Sequence, residues 1–305
     1  MDALMLKTLK PLLPWLLLLA MGLGWGLAFS LAKMAILAGG MPFGMAFWQM
    51  VAACVMCFVI CQIQRKPIPT TRQAIANYLL VSVLASSVPS SCLMFAAGRV
   101  PAGVIAITIA IVPMLTYALA TSMGREHQSL VRLSGLICGI IAILLLVVPS
   151  TSLPDRSAVP WILVAAIAPT FHAFNNINLT RPVMTGMHPL HIIFGANLFG
   201  AMTLLPLSLA SGHMFPLAFP FGVLEWALFG NAAINILAFV GFITTIQLAG
   251  PVFASQTGYI VTISGVVWGM VLFGEIHSGW VWMSLVVMII GLSLVSPRRK
   301  PDTAP

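Results

Sequence analysis

Ten apolar stretches follow one another along the chain, separated by short polar breaks. They fall at 14–37, 42–63, 74–97, 101–122, 130–149, 159–180, 189–210, 222–247, 252–272 and 279–296. Each is about 20 residues long, enough for a helix to cross the hydrocarbon core of a bilayer. In lipid the backbone must satisfy its own hydrogen bonds, so spans of this kind are helices. The longest polar stretch, Ser150 to Ala158, separates five spans from five. The pattern predicts an all-α integral membrane protein of ten transmembrane helices. Two five-helix units, 14–149 and 159–297, are flanked by short tails, 1–13 and 298–305. Lys7 and Lys10 ahead of an apolar run resemble a signal peptide, but the run from Trp15 to Leu37 is too long for one and no small-residue cleavage site follows. It is read as the first retained helix.

Composition agrees with a lipid-embedded chain. Of the 305 residues, 60% are hydrophobic and 7% charged, where soluble domains carry about 25% charged residues. The net charge of +8 sits in short loops with no basic stripe interleaved with aromatics, so no nucleic-acid partner is expected. Placing the N-terminus in the cytoplasm puts Lys7, Lys10, Arg65, Lys66, Arg72, Arg125, Arg132, Arg181, Arg298, Arg299 and Lys300 inside, and Arg99 and Arg156 outside. That bias favours both termini in the cytoplasm. The five cysteines, Cys54, Cys57, Cys61, Cys92 and Cys138, all lie in apolar segments and read as packing residues. No metal and no cofactor is expected.

Residues 97–146 recur weakly at 246–295, with nine of fifty positions identical at an offset of 149. Thr108, Ile111, Val112, Glu126, Ser129, Leu136, Ile140 and Ile141 fall on Thr257, Ile260, Val261, Glu275, Ser278, Leu285, Ile289 and Ile290. Units with an odd number of spans sit in the membrane in opposite orientations, so Glu126 and Glu275 are expected at opposite faces, the plan of an inverted-repeat transporter. Each Glu turn reads as structural, capping a helix N-terminus or pairing with a nearby cation. The glycines Gly22, Gly24, Gly26, Gly135 and Gly139 read as close-packing positions.

Trp25-Gly26, Lys33, Pro42, Phe47-Trp48, Pro113, Gly124-Arg125-Glu126 and Gly135 in the first half, with Ala249-Gly250-Pro251, Trp268-Gly269 and Gly274-Glu275 in the second, give the chain its resemblance to EamA-type permeases of the drug/metabolite transporter superfamily. The resemblance runs over nearly the whole chain. It departs at Gln49, where an Arg is common early in span 2, and at Thr262, which matches Pro113. It implies two inverted five-helix repeats around a central cavity lined by spans 1, 3, 4, 6, 8 and 9. It also implies a multi-pass protein of the cell (inner) membrane that moves small organic solutes such as amino acids and metabolites, often outward.

Polar residues inside spans are costly and are therefore candidates for function. Lys33 either snorkels or pairs with a carbonyl or Gln49, or it faces the cavity and attracts an anionic group. His172, Asn175 and Asn176 share one side of span 6 by spacing; Asn178 does not. Asn231 and Asn235 lie one turn apart on span 8, and Gln256 and Tyr259 three apart on span 9. Trp25, Ser90 and Thr108 join the candidates on the spans that the resemblance assigns to the cavity. For the amides, cavity lining and interhelical hydrogen bonding weigh equally. The acids all lie outside the spans or at their edges. Together with Lys33, that favours a neutral, zwitterionic or anionic solute over a dicationic one. If transport is coupled to protons, His172 is the best remaining titrating group; a uniport mechanism, which needs none, stands beside it. A membrane-embedded enzyme would need paired Asp residues or a His/Glu metal set, and neither is present. A receptor or assembly role stands as the other alternative, without a sensing domain to support it.

Overall fold

The computed structural model describes residues 12–249 and 251–295. The charges at Lys7, Lys10, Arg298, Arg299 and Lys300, and Gly250 of the Ala-Gly-Pro motif, lie outside the described residues. Those that are described fold as helices and turns, with no strand. Eight helices are long and apolar enough to cross a membrane by length and composition: α1 (Leu13–Leu37), α2 (Pro42–Ile63), α3 (Arg72–Ala97), α4 (Ala102–Ser122), α5 (Leu130–Val147), α6 (Arg156–Leu179), α7 (Pro189–Ala210) and α8, of which Val223–Phe242 meets that test. Helix α8 itself runs Val223–Ala249. Two shorter apolar helices of 17 residues follow, α9 (Thr257–Phe273) and α10 (Gly279–Val295).

Prolines shape these helices. Pro42 and Pro189 open α2 and α7, where a missing N–H and a fixed φ cost nothing. Inside a helix, proline leaves the carbonyl four residues back without a donor and crowds it. Accordingly α4 is interrupted at Ala110–Ile111 ahead of Pro113, and α6 at Ala166 ahead of Pro169. In α3 the turn before Pro89 widens into a π-helix, Ser82–Ser87. There the Ser87 hydroxyl donates to the Ser82 carbonyl at 2.9 Å and Ser91 to the Ser87 carbonyl at 2.7 Å.

The loops gather at two ends. At one, Trp48 Nε1 at the start of α2 donates to the Phe215 carbonyl before α8 at 2.9 Å, and Ser278 before α10 donates to the Ser152 carbonyl after α5 at 2.7 Å. Arg99 lies here, its guanidinium 4.0 Å over Trp161. At the other, Lys66 after α2 meets His188 before α7 at 2.8 Å. Arg65, Arg125, Arg132 and Arg181 lie in the loops of that end or beside them. These ends are called the Arg99 face and the Lys66 face.

Helix α1 lies against α8 and α9, α6 against α3 and α4, and α2 pairs with α7, α4 with α9 and α5 with α10. Glycines set the closest approaches. A Cβ on Gly22 would lie 2.5 Å from Ile260, one on Gly26 would strike Ser264 and the Gly265 backbone, and one on Gly103 would lie 2.9 Å from the Val266 Cα. Gly135 meets Gly291 and Val295, and Gly139 meets Met114, so these positions serve packing, as the sequence suggests. Two hydrogen bonds add to the α1–α9 seam, Ser264 to the Gly22 carbonyl at 2.9 Å and Trp268 to the Leu23 carbonyl at 3.1 Å. Large apolar side chains such as Ile137, Leu237 and Val271 stay exposed on the outside, where lipid would meet them.

Gly26→Leu is expected to destabilise the protein by about 1–3 kcal/mol through overpacking, whereas Gly258→Ala, whose Cβ would have nothing within 4 Å, leaves stability unchanged or improved. Thermal unfolding of the two purified variants checks the contrast; equal melting temperatures would remove the seam from the account.

Candidate functional site

The polar candidates divide into three groups. The first joins α1, α2 and α8. Asn231, buried on α8, donates to the Ala28 carbonyl at 2.6 Å. Its own side-chain carbonyl accepts from Gln49 Nε2 at 2.8 Å and from Asn235 Nδ2 at 2.8 Å. Asn235 also donates to the Asn231 backbone carbonyl at 2.9 Å. The buried Gln49 Oε1 is left without a partner. Gln49, one of the partners considered for Lys33, thus belongs to Asn231 instead. A buried amide left unpaired costs more than a made bond returns, so this network fixes the mutual placement of three helices.

The second group is on α6. Asn175 is buried with its Oδ1 unpartnered, His172 is half-buried, and Asn176 is exposed and donates to Thr116 Oγ1 on α4 at 3.2 Å. Their shared spacing therefore gives a graded face, from a buried acceptor to an exposed amide. Asn178 lies off this face; its Oδ1 accepts from Arg181 at 3.2 Å. Ser90 on α3 is half-buried. Gln256 caps α9, and its carbonyl accepts the Tyr259 N–H at 3.1 Å. Tyr259 packs on the main apolar cluster. Trp25 lies 5.9 Å from the Phe242 ring. Thr108 is fully buried and its hydroxyl donates to the Val104 carbonyl at 2.9 Å, as that of its repeat counterpart Thr257 donates to the Ala254 carbonyl at 2.7 Å.

The third group lies at the Arg99 face and centres on Glu275. Helix α9 ends on Gly274, whose φ of 61° is open to glycine at little cost. The turn sets Glu275 beneath the start of α4. Its Oε1 meets Lys33 Nζ at 2.6 Å and accepts the Ala102 N–H at 2.8 Å, while Oε2 accepts the Gly103 N–H at 3.3 Å. The first amides of α4 have no partner within the helix, and a carboxylate there also faces the positive end of the helix dipole. Both expected roles of a Glu turn, cap and ion pair, meet in one side chain. Lys33 therefore answers to Glu275, with the Phe273 ring 4.8 Å from its ammonium. Its charge is compensated, so the inference that Lys33 draws an anionic solute loses its support. Glu126, the repeat counterpart, is half-exposed and pairs with Arg132 at 2.7 Å.

His277 adds a group that sequence reading passed over; its nearness to Glu275 in the turn was the available signal. Its side chain is buried beside α4, and its Nε2 is 3.7 Å from Glu275 Oε2, too far for a hydrogen bond. Burial pushes the imidazole below the ordinary histidine range; Glu275 pulls it up, and Lys33 pushes it down. Among the described residues no cluster of three or more His, Cys, Asp or Glu could hold a metal ion.

Because the folded chain binds this proton less readily than the unfolded chain, stability falls as pH drops through the unfolded value of about 6.5 toward the lowered folded one. The melting temperature is expected to fall between about pH 8 and about pH 5, and His277→Asn to flatten that slope. Parallel slopes for the two proteins would exclude His277 as a source of the acid sensitivity.

A family model of EamA-like transporters matches residues 12–148. The chain is 25% identical over 304 residues to YedA, an uncharacterized inner membrane transporter of Escherichia coli strain K12, covering 94% of each chain. YedA of Escherichia coli O157:H7 matches to the same extent. A solved crystal structure superposes with a TM-score of 0.62 at 13% identity, over 92% of this chain and 95% of that one, which shows a shared fold.

Proposed function

We propose that this chain, whose residues 12–148 match the model of the EamA-like transporter family, is a secondary transporter of small organic solutes such as amino acids or metabolites, working by alternating access. In this reading it is a multi-pass protein of the inner membrane, as YedA is named. It crosses the bilayer ten times, as two inverted five-helix repeats with both termini in the cytoplasm, so the Lys66 face is cytoplasmic and the Arg99 face lies outside. The observation that carries the reading is the pairing of helices. Exchange α1–α5 with α6–α10 and the principal pairings map onto one another. Helix α1 on α8 and α9 becomes α6 on α3 and α4, while α2–α7, α4–α9 and α5–α10 pair across the axis with their own counterparts. Repeats of five helices related this way run in opposite directions, and rocking one against the other alternates access to a site between them.

The α6 face, His172, Asn175 and Asn176, is the part of the candidate set that supports solute recognition best, because the α8 amides are occupied by Gln49, Asn235 and Ala28. The unpartnered acceptors of Asn175 and Gln49 call for an N–H or O–H donor. The described acids are all engaged: Glu126 by Arg132, Asp155 by Ser157, Glu225 by the amides of Ala218 and Gly222, and Glu275 by Lys33. That leaves no free carboxylate for a dication and supports a neutral, zwitterionic or anionic solute, with the anionic case resting no longer on Lys33. Outward movement is the expected direction. His172 is the titratable group of this face, and coupling through it would make flux follow the proton gradient. We assign no catalytic residue.

In proteoliposomes, neutral or zwitterionic solutes carrying N–H donors are expected to move while quaternary ammonium compounds do not. Asn175→Leu should cut flux about tenfold, the size of one lost buried hydrogen bond, at unchanged melting temperature. Movement of quaternary ammonium compounds in preference would overturn the solute class; no flux across a broad panel, with the protein folded, would overturn transport.

A further inference from the structure

The two Glu turns are related by the repeat, yet their surroundings differ. Glu275 is 7% exposed and ties α1, through Lys33, to the first amides of α4. It thereby joins both halves of the chain at the Arg99 face. Around it the helices are tightly packed: every residue of Ala102–Thr108 at the start of α4 is buried, and the α1–α9 glycine seam runs up to it. Past the break, Val112–Ser122 buries Met114 and Tyr117 alone among its residues.

At the Lys66 face the equivalent parts stand apart. Glu126 is 48% exposed and pairs with Arg132, six residues away in its own hairpin. The cation matching Lys33 is Arg181. Aligning the Pro42–Phe47 start of α2 with the Pro189–Phe194 start of α7 puts Lys33 nine residues before its proline and Arg181 eight before its own. Arg181 is exposed and donates to Asn178, at the end of its own helix. Both partners are thus held by local bonds, the exposed kind that costs little to exchange.

We propose that Glu275 is the latch that keeps the Arg99 face closed in this conformation, and that Glu126 is its counterpart, which captures Arg181 to close the Lys66 face in the opposite one. The proposal rests on the alternating-access reading. A cycle then trades one buried Lys–Glu–amide node for an Arg–Glu node at the other end. Lys33, Glu275, Glu126 and Arg181 act as positioning residues that set which face is open, without contacting solute.

The test uses the full chain in lipid nanodiscs, with the five cysteines replaced and spin-label pairs at Leu37→Cys with Met283→Cys for the Arg99 face and Met123→Cys with Gly186→Cys for the Lys66 face. Pulsed dipolar spectroscopy reads the distances. Glu275→Gln and Lys33→Met are each expected to raise the population with a widened Arg99 face and a narrowed Lys66 face at least about tenfold, the shift that about 1.4 kcal/mol produces. Adding Glu126→Gln or Arg181→Gln to Glu275→Gln should bring that population back down by a similar factor. A purely structural role for Glu275 would lower the melting temperature without the reciprocal change at the Lys66 face, and that result overturns the proposal. Should Glu275→Gln fail to fold, the exposed variants Glu126→Gln and Arg181→Gln decide the matter in the otherwise unaltered chain: a narrowed Lys66 face as populated as before overturns it. Flux measured in parallel separates the two readings. Distances that respond with no solute moved support the latch and overturn transport, whereas solute moved with distances indifferent to all four residues overturns the latch alone.

Discussion

A carboxylate withdrawn from water needs compensation from several directions at once, and Glu275 finds it in an ammonium and two helix-end amides. Removing one partner of such a buried pair leaves a charge stranded at a cost of about 3–5 kcal/mol, so the three elements that meet there are bound to one another's position. Helix α1 is consequently held near Lys33 to the second half of the chain, and α4 is anchored at its first turn. The rest of the Arg99 face follows from those two anchors. The α1–α9 glycines can interlock because the ends of both helices are already fixed, and His277 is buried because α4 covers it.

A second polar knot, Asn231 with Gln49, Asn235 and the Ala28 carbonyl, holds α1, α2 and α8 farther along. In lipid there is no hydrophobic gain in bringing helices together, so small residues and amides must supply the attraction. The two devices are divided in space. Glycines bring α1, α4 and α9 into backbone contact, while amides register α1 against α2 and α8. Helix α6, the counterpart of α1, has no glycine and leaves Phe174 and Asn176 exposed.

Much of this architecture was legible in the sequence. Apolar length and the prolines at 42 and 189 gave α2 and α7 to the residue, because an N-terminal proline fixes where a helix starts. The interruptions of α4 and α6 were available in principle from Pro113 and Pro169, yet hydropathy reads straight through them, since a broken helix remains apolar. The glycines were read rightly as packing positions. What stayed hidden were the long-range pairs. Lys33 and Glu275 lie 242 residues apart, and no local periodicity links them. Lys33 could be seen as a charge in a span, and Glu275 as a cap or ion-pair former, but not that each answers the other. Helical spacing likewise placed His172, Asn175 and Asn176 on one side without revealing that exposure is graded across them. Nor did it show that Asn231 is spent on its neighbours.

The inequality between the two ends has a consequence for how affinity would be measured. A single site reached from two sides returns two apparent affinities when one side is open at rest and the other must first be prised apart, because the binding-competent fraction divides the intrinsic constant. If the chain alternates as proposed, divergence in the setting of a single glutamate makes its two faces unequal: ligand offered at the Lys66 face would meet the more populated conformation, and the same ligand offered at the Arg99 face the rarer one.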